Sequence, residues 1–106
     1  MTLAITWHPD AESELDAAID WYDDREVGLG DRFEGEVLDA VAECADAPQA
    51  WAVWPGWERE PEVRSKGVSD FPYRVVYFVA GDLMTIVAVA HAQRRPGYWR
   101  ERLPSA

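Results

Sequence analysis

The sequence predicts an α+β fold in which an antiparallel helical hairpin packs on an antiparallel β-sheet, with an N-terminal strand and a short C-terminal helix. Apolar residues recur at helical spacing in the first half of the chain and alternate with a period of two in the second half. The 106 residues can bury one core but not two. We therefore expect residues 1–106 to form a single domain, which excludes a two-domain enzyme.

The first predicted elements are a short strand and a helix. Residues 2–7 alternate apolar side chains with smaller or polar ones, as a strand does. Pro9 suits the first helical position, and acidic residues follow it, where the helix dipole favours negative charge. An apolar stripe then predicts a helix over about 9–26. The stripe consists of Ala11, Leu15, Ala18, Ile19 and Tyr22.

A second helix is predicted directly after a tight reversal of the chain. Gly28 and Gly30 favour the left-handed geometry that ends a helix. The apolar stripe returns over about 30–47 and stops before Pro48, so the two helices should form an antiparallel hairpin. Cys44 lies on this stripe and has no histidine near it in sequence, which favours a small buried residue over a nucleophile.

The segment 49–61 is predicted to be an ordered loop. It carries Trp51, Trp54 and Trp57 at intervals of three, among proline and glycine residues. Three tryptophans can bury a large area by folding over an open edge of the core. If they are exposed, they would instead anchor a protein partner, and the sequence alone leaves both interpretations open.

Period-two alternation predicts three strands in the rest of the chain, over about 62–68, 72–79 and 83–91, with a hairpin turn at 80–82. Both faces of the last strand are mostly apolar, so we expect a central strand that is covered on each side. One helical hairpin covers only one face. The other face is left for the C-terminal segment 96–103, where we expect the short helix, or for another protein.

The net charge of −10 is unevenly distributed along the chain. Residues 1–62 contain 17 acidic and three basic residues, whereas residues 63–106 contain three acidic and seven basic residues. The acidic part argues against a protein that binds nucleic acid over its whole surface. We expect the acidic helix faces to be solvated and the basic part to face a target.

The composition also limits cofactors and location. One cysteine excludes an internal disulfide and a multi-cysteine zinc site, and two histidines add too few ligands for another metal site. We expect no metal and no other cofactor. The chain has no apolar run long enough for a membrane helix and no N-terminus like a signal peptide, so we expect no contact with membranes and a cytoplasmic protein.

The order of the elements and several short motifs resemble the RelE/ParE superfamily of toxins from type II toxin–antitoxin systems. The motifs span nearly the whole chain. They are Ile19-Asp20-Trp21-Tyr22 in the first helix, Gly28-Leu29-Gly30-Asp31-Arg32-Phe33 at the helix link, Phe71-Pro72-Tyr73-Arg74-Val75-Val76-Tyr77 in the sheet, and the ending with His91 to Pro96, Trp99 and Arg102. The resemblance implies a small growth-arresting toxin of a plasmid-stabilisation module, held inactive in a hetero-oligomer with a cognate antitoxin.

One branch of the superfamily, similar to RelE, consists of metal-independent ribonucleases that cut messenger RNA on the ribosome. The resemblance implies that a ribonuclease of this kind would use Arg64, Lys66, Arg74 and Tyr98 to activate the ribose hydroxyl and stabilise the transition state. Ala92 stands where this branch has a basic residue, so the pattern is incomplete. Arg74 has the alternative of pairing with a helix carboxylate.

The other branch, similar to ParE, poisons DNA gyrase and has no known chemistry of its own. The helix link and the Phe71-Pro72-Tyr73 strand are closer to this branch, and we favour it. A third possibility is a family member that binds an antitoxin but has weak or different toxicity.

Two sets of site residues follow. The basic C-terminal part is expected to contact the target, unless its arginines pair with helix carboxylates inside the protein. The antitoxin is expected to cover the doubly apolar strand and the tryptophans of the loop. The target-binding set is Arg74, Arg94, Arg95, Trp99, Arg100 and Arg102, and the antitoxin-binding set is Trp51, Trp54, Trp57, Tyr77 and Val89.

Overall fold

The computed structural model describes residues 2–104, and its elements follow the predicted order. The predicted α+β fold with a helical hairpin on a sheet is confirmed, and the ends of the elements differ from the expected ones by a few residues. The elements are β1 (Ala4–Trp7), α1 (Pro9–Arg25), α2 (Leu29–Asp46), β2 (Val63–Gly67), β3 (Tyr73–Ala80), β4 (Leu83–His91) and a 3₁₀ turn (Arg100–Arg102).

The sheet is mixed, because its N-terminal strand runs parallel to its neighbour. The strand order is β1-β4-β3-β2, with β1 paired in parallel to β4 and the other pairs antiparallel. Ala4 of β1 lies opposite Leu83 of β4, so the first strand pairs with the last one and forms one edge of the sheet. Alternation within residues 2–7 predicts a strand but carries no information about its distant partner or its direction.

The helical hairpin is shaped by local backbone chemistry at its two turns. His8 caps α1, since its Nδ1 accepts a hydrogen bond from the Asp10 N–H at 3.1 Å. Gly28 has a φ of +87°, which favours glycine. At Gly30 the helices approach so closely that a Cβ would lie 2.5 Å from the Ile19 carbonyl oxygen. The two glycines therefore bring α2 back against α1.

One side of the sheet packs against the hairpin and forms the larger core. The apolar stripes of both helices are buried there, as the sequence predicts. Cys44 is fully buried, and this burial raises the pKa of its thiol to about 11, which confirms its reading as a small core residue. The principal members of this core are Leu15, Phe33, Val37, Val41, Cys44, Val75, Tyr77, Met84, Ile86 and Val89.

A β-bulge in β4 changes which side chains share a face. The register with β3 shifts between Val76 and Tyr77, so one extra residue is accommodated at Val87. Strict alternation would put Val87 and Val89 on the same face. In the structure Val87 faces away from the helices, whereas Val89 packs in the helix-side core with Ile86.

The loop and the C-terminal segment of the same chain cover the opposite face of the sheet. Trp99 is fully buried there, with Trp54 and Trp57 against it at ring-centroid distances of 5.1 and 5.7 Å. We call these three residues the tryptophan cap. The loop also closes the outer edge of β2, since the Trp54 N–H donates to the Val63 carbonyl at 2.8 Å. Covering this face therefore needs no second protein.

The tryptophans of the loop serve both sides of the sheet. Trp51 packs on the helix-side core, where the Lys66 Nζ lies 4.5 Å from its ring centroid, while Trp54 and Trp57 belong to the tryptophan cap. All three are half-buried. Of the two interpretations that the sequence leaves open, the structure favours cover for the edges of the core.

The C-terminal segment is not the short helix that the sequence predicts over 96–103. It forms turns and a single 3₁₀ turn at Arg100–Arg102. The physical reason is Gly97, whose φ of +77° is left-handed and cannot continue from Pro96 into a helix. The turn at Gly97 directs Trp99 onto the sheet.

None of the described helices is both long and apolar enough to cross a membrane. Within residues 2–104, no group of three or more histidine, cysteine, aspartate or glutamate side chains is arranged to hold a metal ion.

The tryptophan cap leads to a prediction about stability. The substitution Trp99→Ala should lower the free energy of unfolding by about 3–5 kcal/mol, because it removes a fully buried indole from a packed face. The matched control Trp21→Ala removes an indole that is 50% exposed and should cost less than about 1 kcal/mol. Urea denaturation measures both. Equal losses in the two variants would show that the cap does not stabilise the sheet.

Candidate functional site

A glutamate on α1 joins three separate parts of the chain. The Glu14 carboxylate accepts hydrogen bonds from the Tyr98 hydroxyl at 2.6 Å and from the Val89 N–H at 3.1 Å. It also accepts two from Arg102, whose Nη1 and Nη2 lie 2.9 and 3.0 Å from the two carboxylate oxygens. This paired geometry is the strong form of an arginine–carboxylate contact. We call these four residues the Glu14 network.

The Glu14 network replaces a missing strand. Pairing between β1 and β4 ends at Ile86, so the rest of β4 has no strand neighbour on that side. The Val89 N–H is bonded there by Glu14, and the Val87 carbonyl accepts from Arg102 at 3.1 Å. Buried backbone groups need such partners, and here side chains supply them.

Burial, followed by the hydrogen bond to Glu14, raises the pKa of Tyr98 well above its ordinary value. The hydroxyl is a donor to a carboxylate and therefore holds its proton firmly. A tyrosine in this state is poorly suited to act as a general base.

Two residues of the predicted target-binding set have internal roles instead. Arg102 is only 15% exposed and is held by Glu14, with Asp10 a further 3.7 Å partner. Trp99 is fully buried in the tryptophan cap. The alternative that an arginine pairs with helix carboxylates therefore describes Arg102, and neither side chain offers a surface to a target.

The other arginines of the C-terminal part face outwards. Arg94, Arg95 and Arg100 are exposed, and none of them makes an ion pair within residues 2–104. The Arg94 guanidinium stacks on the Tyr98 ring, 3.9 Å from its centroid. We call Arg94, Arg95 and Arg100 the arginine surface.

The four residues that a ribonuclease would need are not assembled in one place. Arg64 and Lys66 project on the helix side of β2, where they pair with Glu62 at 2.6 Å and with Glu43 at 3.1 Å. Arg74 projects on the opposite face of the sheet, beside Val76 of the second core. Tyr98 lies at a third place, in the Glu14 network.

Arg74 is not paired with a helix carboxylate. Its Nε donates to the Ser65 Oγ at 3.0 Å and its Nη2 to the Ser65 carbonyl at 3.3 Å. Ser65 is buried, so these bonds fix the direction of the guanidinium. The alternative reading of Arg74 as the partner of a helix carboxylate does not hold in this structure.

The members of the predicted antitoxin-binding set do not share one surface. Tyr77 is fully buried and its hydroxyl donates to the Pro48 carbonyl at 2.7 Å, while Val89 is almost fully buried. Burial raises the pKa of Tyr77. The remaining members are the three loop tryptophans, which are half-buried on both sides of the sheet.

A groove that sequence reasoning missed runs between α1 and the ends of β3 and β4. Its volume is about 630 Å³, and four of its twelve lining residues are tryptophan or tyrosine. Trp21 is 50% exposed at its rim, with the Arg25 guanidinium 3.3 Å from its ring centroid. The helical spacing marks Tyr22 as apolar but gives no sign that Trp21 and Tyr98 face each other across a groove. The walls include Ala18, Trp21, Tyr22, Tyr73, Val89 and Tyr98.

Comparison with known families assigns this fold. The family model of the ParE toxin of the type II toxin–antitoxin system parDE matches residues 5–96. The chain belongs to the ParE toxin family. The matched region of this toxin ends just before the segment that supplies Tyr98, Trp99 and Arg102, so the family model does not cover the whole Glu14 network.

A solved structure of the chromosomal ParDE toxin–antitoxin system from P. aeruginosa has a chain with a similar fold. The TM-score is 0.72 at 18% sequence identity, and the alignment covers 87% of this toxin and 98% of that chain. At this identity the likeness shows the fold. No curated protein sequence matches the toxin.

The Glu14 network leads to a second prediction. The substitution Glu14→Gln should lower the free energy of unfolding by roughly 3 kcal/mol, because it leaves the largely buried Arg102 charge with only the exposed Asp10, at 3.7 Å, as a carboxylate partner among the described residues. Glu12→Gln removes the same charge from an exposed position of the same helix and should change stability by no more than about 0.5 kcal/mol. Chemical denaturation gives both values. Equally small effects of the two substitutions would mean that Glu14 does not hold the C-terminal segment that contains Tyr98 and Arg102.

A third prediction concerns alkaline pH. The pKa of Tyr98 is raised above its ordinary value of 10, so the native state keeps a proton that the unfolded chain releases. This contribution to stability is complete below pH 10 and is lost as the pH rises above it. The free energy of unfolding should therefore fall more steeply above pH 10 in the wild type than in Tyr98→Phe. Parallel pH profiles of the two proteins would contradict the prediction.

Proposed function

We propose that this toxin arrests growth by poisoning DNA gyrase, stalling the state in which DNA is cleaved, and that a cognate antitoxin neutralises it. The match of the ParE family model over residues 5–96 is the observation that carries this proposal. Gyrase is a cytoplasmic enzyme, so the toxin would act in the cytoplasm. The proposal requires no cofactor and no chemistry by the toxin itself.

The arginine surface is the part of the toxin that we propose contacts the target. Its three guanidiniums are exposed and make no ion pair within residues 2–104, and they follow the end of β4, outside the core. Arginine forms forked contacts with phosphates and carboxylates, both of which a gyrase–DNA complex presents. The outer faces of α1 and α2 are acidic and would repel such a target, so charge orients the complex.

The groove is the part that we propose binds the antitoxin. The similar chain from P. aeruginosa comes from a ParDE system, in which a toxin is paired with an antitoxin. The aromatic walls and the exposed ring of Trp21 suit apolar side chains of a segment that becomes ordered on binding. Arg94 lines the same groove, so an antitoxin seated there would also cover part of the arginine surface.

A ribonuclease of the RelE kind is the second candidate, and the geometry speaks against it. Its four expected residues lie on two faces of the sheet and in the Glu14 network, and three of them are bonded to carboxylates. Because its pKa is raised, Tyr98 keeps its proton and is poorly suited to act as the general base of a ribonuclease. If expression of the toxin leaves growth unchanged, the third possibility, a family member that binds an antitoxin but has weak or different toxicity, is favoured.

The fourth prediction tests the arginine surface. Expression of the wild type in cells should stop growth. The purified wild type, added to purified gyrase and DNA, should cause cleaved DNA to accumulate. The double substitution Arg94→Glu with Arg95→Glu should abolish both effects and leave the thermal midpoint within a few degrees, since exposed substitutions usually change stability by no more than about 0.5 kcal/mol. The control Arg25→Glu with Arg32→Glu makes the same change of charge on the helical side and should remain toxic.

Three outcomes would contradict the proposal. Unchanged toxicity in the Arg94/Arg95 double variant would place target binding elsewhere. Loss of folding in that variant would show that these arginines are structural. Growth arrest with codon-phased cuts in messenger RNA, abolished by Arg74→Ala, would establish a ribonuclease in place of a gyrase poison.

A further inference from the structure

A second cavity, which shares His91, Arg94 and Tyr98 with the groove, lies beside the tryptophan cap at the ends of β3 and β4. Its volume is about 200 Å³. Trp54 and Trp99 form part of its wall, and three arginines line it: Arg74, Arg94 and Arg95. We call it the arginine cavity.

The charge of the arginine cavity is opposite to that of the protein. The chain has 20 acidic residues, yet none of them lines this cavity. The groove and three smaller cavities on the described chain each include at least one aspartate or glutamate. The arginine cavity is therefore a local positive site on an acidic protein, which attracts small anions.

The guanidinium of Arg74 is held in place by hydrogen bonds to Ser65. Ser65 is buried and accepts hydrogen bonds from the Nε and Nη2 of Arg74. These bonds fix the plane of the Arg74 guanidinium. Arg74 makes no ion pair within residues 2–104. The guanidinium of Arg94, which also lines the cavity, stacks on the Tyr98 ring. Two arginines with positioned guanidiniums thus line one small cavity.

The cavity wall also contains a buried donor. Trp99 is fully buried, and its Nε1–H has no acceptor among the described residues. Nearly all buried N–H groups in proteins have an acceptor, so the unpaired N–H of this lining residue is available to an acceptor from outside the chain.

From these observations we propose that the arginine cavity binds a phosphate group, either of a free nucleotide or of the DNA backbone. A tetrahedral phosphate presents several acceptor oxygens, enough for two arginine forks and one further N–H, whereas a carboxylate presents only two oxygens. The proposal goes beyond the proposed function, which has exposed arginines contact a gyrase–DNA complex but assigns no cavity and no role to Arg74.

The test measures binding of two probes to the full-length toxin at one fixed, low salt concentration. One probe is deoxyadenosine 5′-monophosphate, followed by titration calorimetry, and the other is a short fluorescein-labelled DNA duplex, followed by anisotropy. Arg74→Gln should weaken binding about tenfold or more, the usual effect of losing a hydrogen bond between charged groups. The control Arg25→Gln removes the same charge from α1 and should change affinity by less than about twofold.

The two probes distinguish the sources of the phosphate. Binding of the mononucleotide that depends on Arg74 identifies a free nucleotide, and Arg74-dependent binding of the duplex alone identifies the DNA backbone. If Arg74→Gln unfolds, the exposed pair Arg94→Gln with Arg95→Gln should show the same loss. The proposal is overturned if neither probe binds, or if the cavity variants and Arg25→Gln bind equally well.

Failure of this proposal is distinguishable from failure of the proposed function. Growth arrest and accumulation of gyrase-cleaved DNA by a wild type that binds neither probe would overturn the phosphate site alone. Conversely, phosphate binding that depends on Arg74, in a protein that never arrests growth, would support the cavity and contradict the gyrase proposal.

Discussion

The structure depends on how the backbone groups along the unpaired edge of β4 obtain hydrogen-bond partners. This strand is longer than β1, so its backbone beyond Ile86 lacks a strand on one side. Glu14 accepts the Val89 N–H, and Arg102 donates to the Val87 carbonyl while pairing with Glu14. The free energy cost of an unpaired buried backbone group is thereby avoided. The same contacts fix α1 against the sheet and draw the end of the chain back to it.

The position of the C-terminal segment then determines what covers the sheet face opposite the helices and where the arginines lie. Because Arg102 is anchored at Glu14, the preceding Trp99 is held over β4 and completes the tryptophan cap. The segment between β4 and Trp99 has to pass outside the core, and Arg94 and Arg95 lie in it. One largely buried ion pair therefore accounts for a covered sheet face and for an exposed positive surface on an acidic protein.

Much of the fold could be predicted from the sequence, because the helices and strands are recorded in local periodicity. The parallel pairing of β1, the bulge at Val87 and the partner of Arg102 could not, because they depend on contacts between distant residues. Glu14 and Arg102 are 88 positions apart, and each resembles any exposed charged residue in its own segment. Of the residues that the sequence predicts to contact a target, Arg94 and Arg95 are exposed, whereas Trp99 and Arg102 belong to the interior.

Arg94 connects the features to which we assign function. Its side chain stacks on Tyr98, which donates to Glu14, and it lines both the groove and the arginine cavity. A partner seated in the groove would contact Arg94 from one side, and a phosphate in the cavity would contact it from the other. The two proposed ligands would therefore share the Arg94 side chain, and an antitoxin carboxylate in the groove would compete for it. If both proposals hold, a partner bound in the groove would also alter the positive surface around Arg94, without any change in the fold.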